Sequence, residues 1–201
     1  MIKALKMRLE YGGERASKKA VGLQGENRMR HALDDHLEPP DYIVLHDLLF
    51  PGLYGMPTQI DHLIVSRFGL FVVEMKNWMG DIVARKTRWV KCRGRRELRL
   101  PNPIKQNAHH AKALSERLNI PDSLIFGLVA VPRDAQFAEG LPEGVHYCPE
   151  VPQVIRAFDQ PVIKPEQVPE IVGAVRAWCA TVSPKLRREF TARLKTRFHE
   201  K

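Results

Sequence analysis

Two short segments of alternating apolar residues, joined by a turn sequence, constrain the fold of this chain more than any other feature. The first covers residues 59–66 and the second covers residues 69–76. Between them lies the polar, glycine-containing break Ser66-Arg67-Phe68-Gly69. Alternation on both sides of such a break predicts an antiparallel β-hairpin. A turn centred on Arg67 and Phe68 then sets the register of the two strands.

This register places polar residues opposite one another in an apolar sheet. Asp61 faces Glu74 and Gln59 faces Lys76, with about 5 Å between opposed Cβ atoms. Glu74 and Lys76 also share a face, because side chains alternate along a strand. Two carboxylates brought together in an apolar sheet raise each other's pKa. A divalent cation between them would remove this cost, and ligation by oxygen alone favours Mg²⁺, with Mn²⁺ as its substitute.

The catalytic interpretation gives each of these residues a role. Asp61 and Glu74 would hold the metal ion, and the carbonyl of Met75 would add a ligand. Lys76 would orient or deprotonate a water molecule and offset developing negative charge. Gln59 would position Lys76 by hydrogen bonding. The alternative is a structural salt bridge in which Lys76 pairs with one of the acids.

Glu26 is a third carboxylate with a predicted place in the site. On the first predicted helix, four residues recur at helical spacing: Gly22, Met29, Leu33 and Leu37. Glu26 falls in the middle of this stripe. A carboxylate on a core-facing side is unusual unless a partner is present, so Glu26 is predicted to join the metal site. The alternative is a glutamate at the edge of the stripe or one that interacts with a helix dipole.

A later helix is predicted to carry a glutamine into the site. It begins at Asn102-Pro103, an N-cap residue followed by proline. Its predicted apolar stripe consists of Ile104, Ala108, Ala111, Leu114 and Leu118. The other side carries Gln106, His109, His110, Ala113 and Arg117. That side is interpreted as meeting a phosphate backbone or as an ordinary solvated face, and only Gln106 is assigned to the site.

Composition limits the class of protein. The 201 residues include 32 Lys and Arg against 23 Asp and Glu, a net charge of +9. A charge of this sign favours a polyanionic partner, and a solvated basic surface is the alternative. No apolar run approaches the roughly 20 residues that span a bilayer, and the N-terminal residues do not resemble a signal peptide. We therefore expect a cytoplasmic protein.

The order of predicted elements is αβββ(β)αβ followed by further helices. It predicts an α/β fold, an α+β sandwich with a mixed β-sheet between helices. Residues 1–17 are expected to form a basic arm and residues 18–160 the main domain. Residues 161–201 are expected to form a helical extension whose last helix is basic and amphipathic. Within the main domain, residues 81–92 are predicted as one strand, and Arg93-Gly94-Arg95-Arg96 as a basic turn.

In combination, these motifs resemble the nuclease-related domain (NERD) family, which belongs to the PD-(D/E)XK nuclease superfamily. The resemblance covers roughly residues 22–131 and rests on Gly25-Glu26 and on the segments TQIDHLIVSRFGLFVVEMKNWMG and NPIKQNAHH. It implies a restriction-endonuclease-like core. By position, Glu26 matches the family's first-helix acid and Asp61 its metal-binding aspartate. Glu74 with Lys76 matches the ExK pair, and Gln106 matches the glutamine of the following helix.

One position departs from related proteins. RecB-type nucleases have a tyrosine four residues after this glutamine, whereas the present chain has His110. The resemblance implies a Mg²⁺-dependent deoxyribonuclease that hydrolyses phosphodiester bonds by attack of an activated water. RNA stays open as a substrate, and a homodimer would suit cleavage of both strands of a duplex. The alternatives are a nucleic-acid-binding module that keeps the fold without catalysis, and an interaction protein that uses its last helix.

Overall fold

The computed structural model describes residues 23–51, 57–86 and 88–197. The predicted arm, residues 1–17, lies outside these ranges. Residues 23–36 form helix α1. Six strands follow: β1 Tyr42–Pro51, β2 Pro57–Ser66, β3 Gly69–Met75, β4 Gly80–Ala84, β5 Trp89–Arg93 and β6 Arg96–Leu100. The remaining elements are α2 Pro103–Leu118, β7 Ile125–Val131, β8 Ala135–Phe137, β9 Val145–Tyr147, α3 Val151–Arg156, α4 Gln167–Ala180 and α5 Pro184–Arg197.

The strands form two sheets. The larger sheet has the order β1-β2-β3-β7-β9 and is mixed, since β1, β2 and β3 pair antiparallel whereas β3, β7 and β9 pair parallel. The smaller sheet has the order β6-β5-β4-β8. A mixed sheet flanked by helices confirms the predicted fold class.

The smaller sheet differs from its prediction. A single strand over residues 81–92 is wrong, because β4 and β5 form a hairpin. Arg85 and Arg88 exchange backbone hydrogen bonds of 3.0 and 3.2 Å across its turn. The basic turn at residues 93–96 is confirmed as the connection from β5 to β6. The segment 132–144, which the sequence predicts as loop, contains strand β8.

The central strand of the larger sheet is covered on both faces. All seven residues of β3 are buried, which explains why its sequence is a nearly continuous apolar run. Alternate side chains of β2 and β3 pack with Leu114 of α2 and with α4 on one side. On the other side they pack with α1 and α3. Strand β3 therefore lies between two helical layers.

The C-terminal helices complete this arrangement. Helix α4 lies in the predicted extension, yet Val168, Ile171, Val172 and Val175 belong to the main apolar core. The boundary of the extension stays a prediction. Helix α5 confirms the predicted last helix. Leu186 and Phe190, two of the apolar residues that recur every fourth position in this segment, are partly buried on it. Phe198, which continues this spacing, lies outside the described ranges. Among the described helices, none is long and apolar enough to cross a bilayer.

The hairpin has the predicted register. Five consecutive pairs, from His62 opposite Val73 to Ser66 opposite Gly69, follow it. Gly69 has a φ of 135° in the turn, a conformation that side-chain-bearing residues rarely adopt. Pairing between β2 and β3 ends at His62 and Val73. Beyond that point the two strands separate.

The face that helix α2 turns to the sheet matches the predicted one only in part. Ile104 is 37% exposed, whereas Asn107 and His110 are buried. The Nδ2 group of Asn107 donates to the carbonyl of Val72 on β3 at 2.8 Å and to that of Leu128 on β7 at 2.9 Å. The predicted apolar stripe is right at Leu114, Ala111 and Leu118, which lie in or against the core. It is wrong at Ile104 and Ala108, which are exposed. Buried amides are stable where hydrogen-bond partners exist, and apolar periodicity does not weigh such partners.

Replacement of Asn107 should destabilise the fold. Asn107→Ala leaves two buried strand carbonyls without their donor, which costs about 2–4 kcal/mol of the free energy of unfolding. Urea denaturation of the variant and the wild type measures this loss. Lys105→Ala, on the exposed side of the same helix, should change stability by less than about 0.5 kcal/mol. An equal effect of both substitutions would contradict the bridging role.

Candidate active site

The site begins where β3 leaves β2. The backbone N–H of Met75 donates to Oδ2 of Asp61 at 2.9 Å, so a carboxylate takes the place of a strand partner there. On the opposite edge, the N–H of Lys76 donates to the carbonyl of Ala130 on β7 at 2.9 Å. Pro132 follows β7 and has no N–H with which to continue the pairing. Strand β3 therefore ends at Met75, and Lys76 follows it directly.

Glu74, Lys76 and Gln106 form a closed set of hydrogen bonds. Lys76 Nζ donates to Oε1 of Glu74 and to Oε1 of Gln106 at 3.2 Å. The Nε2 group of Gln106 donates to the same Glu74 oxygen at 2.7 Å. Glu74 is 3% exposed, and Lys76 keeps partial contact with solvent. The structure thus brings together three of the predicted site residues.

His110 is a site residue that the sequence reasoning missed. Its Nε2 atom lies 3.6 Å from Oε2 of Glu74 and 3.4 Å from Nε2 of Gln106. Burial opposes ionisation of Glu74, but the contacts with His110 and Lys76 outweigh it, so the pKa of Glu74 lies below its usual value. The available signal was the spacing of four residues between Gln106 and His110, which puts both on one helix face.

The pKa of Asp61 is shifted in the opposite direction to that of Glu74. Burial and the neighbouring charge of Glu74 raise the pKa of Asp61 to about 8, against the lowering effect of the Met75 N–H and of Lys76. Without a metal ion, the pair therefore holds a proton on Asp61 and a negative charge on Glu74 at neutral pH. The hydrogen bond from the Met75 N–H places the Asp61 carboxylate next to the Glu74-Met75 segment, although Asp61 and Glu74 lie just beyond the last backbone pair of the two strands.

Glu26 approaches the site without entering the buried stripe. The buried residues of α1 are Gly25, Met29 and Leu33, followed by Leu37 directly after the helix, and Glu26 is exposed beside them. The prediction that Glu26 faces the core is therefore wrong, since the buried residues recur every fourth position and Glu26 lies about 100° away from them. Partial burial and the charges of Asp47 and Glu74 raise the pKa of Glu26. Its role as a metal ligand stays a prediction.

Gly25 brings helix α1 close to the site strand. A Cβ atom at this position would lie 2.8 Å from Cβ of Asn77 and 2.9 Å from Cε of Met75. Such distances are shorter than real contacts between carbon atoms. Only glycine allows the first turn of the described helix to lie against the residue that follows Lys76.

Gln59 does not take its predicted place opposite Lys76. Its Nε2 group donates to Oδ1 of Asp47 at 3.0 Å, and its backbone pairs with Leu49. The prediction fails because β2 and β3 separate before this position. Asp47 has a φ of 50° and interrupts β1 between His46 and Leu48. Sequence reasoning missed this acid, although a charged residue within an otherwise apolar strand is a signal.

The donor chemistry fits a hard divalent cation. Oδ1 of Asp61 accepts no hydrogen bond from any described residue, and Glu74 lies within electrostatic range of it. Carboxylate oxygens are preferred ligands of Mg²⁺ and Mn²⁺, and a cation would offset the repulsion that raises the pKa of Asp61. In the described ranges, no group of three or more His, Cys, Asp or Glu side chains has an arrangement that would hold a metal ion. If a cation binds here, ligation by these side chains would therefore rest on the two carboxylates of Asp61 and Glu74.

Comparison with known proteins agrees with this geometry. The family model of the nuclease-related domain matches residues 21–132, more than half of the chain. An uncharacterized protein of Bacillus anthracis is 38% identical over 95 residues, which are 46% of this chain and 44% of that protein. The chain thus spans less than half the length of this relative. No solved structure shows a significant match.

The raised pKa of Asp61 predicts a dependence of stability on pH. The folded protein holds a proton on Asp61 that the unfolded chain releases near pH 4, so this group's contribution to stability is lost as pH rises towards about 8. Asp61→Asn keeps an acceptor for the Met75 N–H and removes the charge. We expect the variant to gain on the order of 1–3 kcal/mol over the wild type between pH 4 and pH 8.

Urea denaturation at several pH values measures this difference without added metal. Asp134→Asn, at an exposed turn, is the matched control and should give a difference that does not change with pH. A constant difference for Asp61→Asn as well would show that Asp61 is ionised throughout.

Proposed function

Because the chain belongs to the nuclease-related domain family, we propose that it is a metal-dependent nuclease that hydrolyses phosphodiester bonds of DNA. The observation that carries the proposal is the hydrogen-bonded set of Glu74, Lys76 and Gln106 beside Asp61. A structural salt bridge needs only two of these side chains. The additional buried carboxylate costs free energy in the metal-free protein, and perturbed groups of this kind cluster at functional sites.

Asp61 and Glu74 are the proposed ligands of Mg²⁺, with the carbonyl of Met75 and the nearby Glu26 as further candidates. When bound, the metal ion would polarise a phosphoryl oxygen and lower the pKa of a bound water. The protein's own contribution is to hold the two carboxylates in place. The Met75 N–H fixes one oxygen of Asp61, and Gln106 and Lys76 fix Oε1 of Glu74.

Lys76 has a donor left for the substrate. An ammonium group has three N–H donors, and two of them bind Glu74 and Gln106. The third is proposed to donate to the attacking water or to a phosphoryl oxygen, where positive charge stabilises the transition state. Donation to two acceptors favours the orienting role over proton abstraction.

His110 is proposed to position Glu74. It contacts the oxygen Oε2, which neither Lys76 nor Gln106 binds. Oε1 is therefore held by two hydrogen bonds, and the His110 ring lies 3.6 Å from Oε2. In this proposal, His110 occupies the position at which RecB-type nucleases have a tyrosine, and the role assigned to it does not depend on a tyrosine hydroxyl group.

A binding module without catalytic activity is the second candidate. The net charge of +9 and the ion pair between Lys76 and Glu74 are both compatible with binding alone. The two candidates differ in what they require of Glu74. A nuclease needs its carboxylate, whereas salt-sensitive binding to phosphates does not.

Substitution of the site should abolish cleavage. Glu74→Gln and Lys76→Ala should each lower the rate of DNA cleavage at least about a hundredfold, because they remove a ligand and the free donor. Release of fragments from labelled DNA in the presence of Mg²⁺ or Mn²⁺ measures this rate. Glu116→Gln and Lys105→Ala, both exposed on α2, are charge-matched controls and should retain activity. Cleavage that survives both site substitutions would rule out the proposed site.

Metal affinity should rise with pH. Binding of a divalent cation must displace the proton from Asp61, so apparent affinity should increase up to about tenfold per pH unit below pH 8. Calorimetric titration with Mn²⁺ in buffers of different ionisation enthalpy measures the number of protons released on binding. We expect close to one proton released per bound ion near pH 7. Asp61→Asn should bind more weakly and release none. A pH-independent affinity in the wild type would argue against Asp61 as a ligand.

A further inference from the structure

The smaller sheet holds most of the excess positive charge of the chain. Residues 80–100 contain eight Lys and Arg against two Asp and Glu, a net of +6 out of +9. These residues form β4, β5 and β6 with their turns. The nuclease site described above uses none of them. A concentration of charge this strong in one small sheet requires its own explanation.

Three of these cations share one face of the sheet. Lys91 and Arg93 lie two residues apart on β5 and therefore point to the same side. Arg96 of β6 lies directly opposite Arg93. Nearer the domain, the same face carries the buried side chains of Trp89 and Ile82, which pack into an apolar cluster. The face thus changes from apolar at its base to cationic at its outer end.

No acid offsets this row of Lys91, Arg93 and Arg96, hereafter the cationic row. Glu97 points to the opposite face, where it pairs with Arg88 at 2.8 Å and with Arg85 at 3.6 Å. No described carboxylate pairs with a member of the cationic row. Directly opposed like charges destabilise a strand pair, and the pKa of Lys91 is lowered by partial burial and by Arg93. An anion along this face would remove the repulsion.

The cationic row is close to the active site along the chain. Only residues 77–79 separate Lys76 from Gly80, the first residue of β4. A Cβ at Gly80 would lie 3.9 Å from Cε of Lys91, so the Lys91 side chain lies against this connection. Four residues span at most about 14 Å, which corresponds to roughly four base-pair steps along the axis of a duplex.

We propose that the cationic row binds the phosphate backbone of duplex DNA and guides it to Glu74 and Lys76. The inference rests on the proposed nuclease function and adds the surface that would hold the substrate. Duplex is favoured over single-stranded DNA because single-strand binding uses exposed aromatic rings for stacking. Trp89 is 2% exposed, and Trp78 packs against it with ring centroids 5.8 Å apart. Backbone contacts carry no base information, so binding is independent of sequence.

The test measures binding separately from cleavage. All variants carry Glu74→Gln, and fluorescence anisotropy follows a labelled duplex of random sequence at several salt concentrations. Combined Lys91→Ala, Arg93→Ala and Arg96→Ala should weaken binding at least about tenfold and reduce the log–log salt slope by about 2–3, since each lost phosphate contact contributes about 0.9. Arg93→Ala with Arg96→Ala alone, at exposed positions, should give about two thirds of the slope change.

A second triple variant controls for total charge. Arg156→Ala, Lys164→Ala and Arg176→Ala remove three exposed cations from the C-terminal region and should leave the salt slope within about one unit of its value. Equal loss in both triple variants would overturn the proposal, because net charge alone would then explain binding. Tighter binding to single strands or to anionic vesicles than to duplex would also overturn it. If the wild type binds duplex DNA through the cationic row but shows no cleavage with Mg²⁺ or Mn²⁺, this inference would be supported and the proposed nuclease function would be rejected.

Discussion

The hydrogen bond from the Met75 N–H to the Asp61 carboxylate is the interaction on which the site depends. It forms at the point where β2 and β3 stop pairing, and it replaces a backbone contact with a side chain. The bond fixes Asp61 next to Glu74 and thereby creates the electrostatic imbalance in which one acid holds a proton and the other a charge. The register of the hairpin therefore determines the electrostatics of the site. A shift of the register by one residue would turn Asp61 to the opposite face.

The sequence predicted those parts of the molecule that depend on local alternation. The hairpin register, and with it the proximity of Asp61 to Glu74, followed from the turn at Arg67 and Phe68. The predicted partner of Gln59 was wrong because extrapolating a register assumes that strands continue to pair, and no local signal marks where they separate. Gln59 instead donates a hydrogen bond to Asp47, whose positive φ distorts the neighbouring strand β1.

Helix faces were predicted less well, for a different reason. Apolar periodicity treats every polar residue as exposed, yet Asn107 and His110 are among the buried residues of α2. Each is stable there because a long-range partner is present: strand carbonyls for Asn107 and Glu74 for His110. The opposite error occurred at Glu26, which was assigned to a buried stripe and lies beside it. The smaller sheet was missed because its strands are short and the turn within residues 81–92 is rich in charge and lacks glycine and proline.

The two hydrogen bonds of the Asn107 side chain also limit how readily the site can open by local unfolding. Asn107 joins α2 to the carbonyl of Val72, two residues before Glu74, and it lies one residue after Gln106 in the sequence. Segments tied by buried hydrogen bonds open only with large parts of a fold. The distance between Glu74 and Gln106 is therefore set by the packing of the core and does not depend on a bound ligand. A site built in this way would be preorganised for the proposed reaction, because Lys76 and Gln106 already donate to Glu74 before any ligand binds.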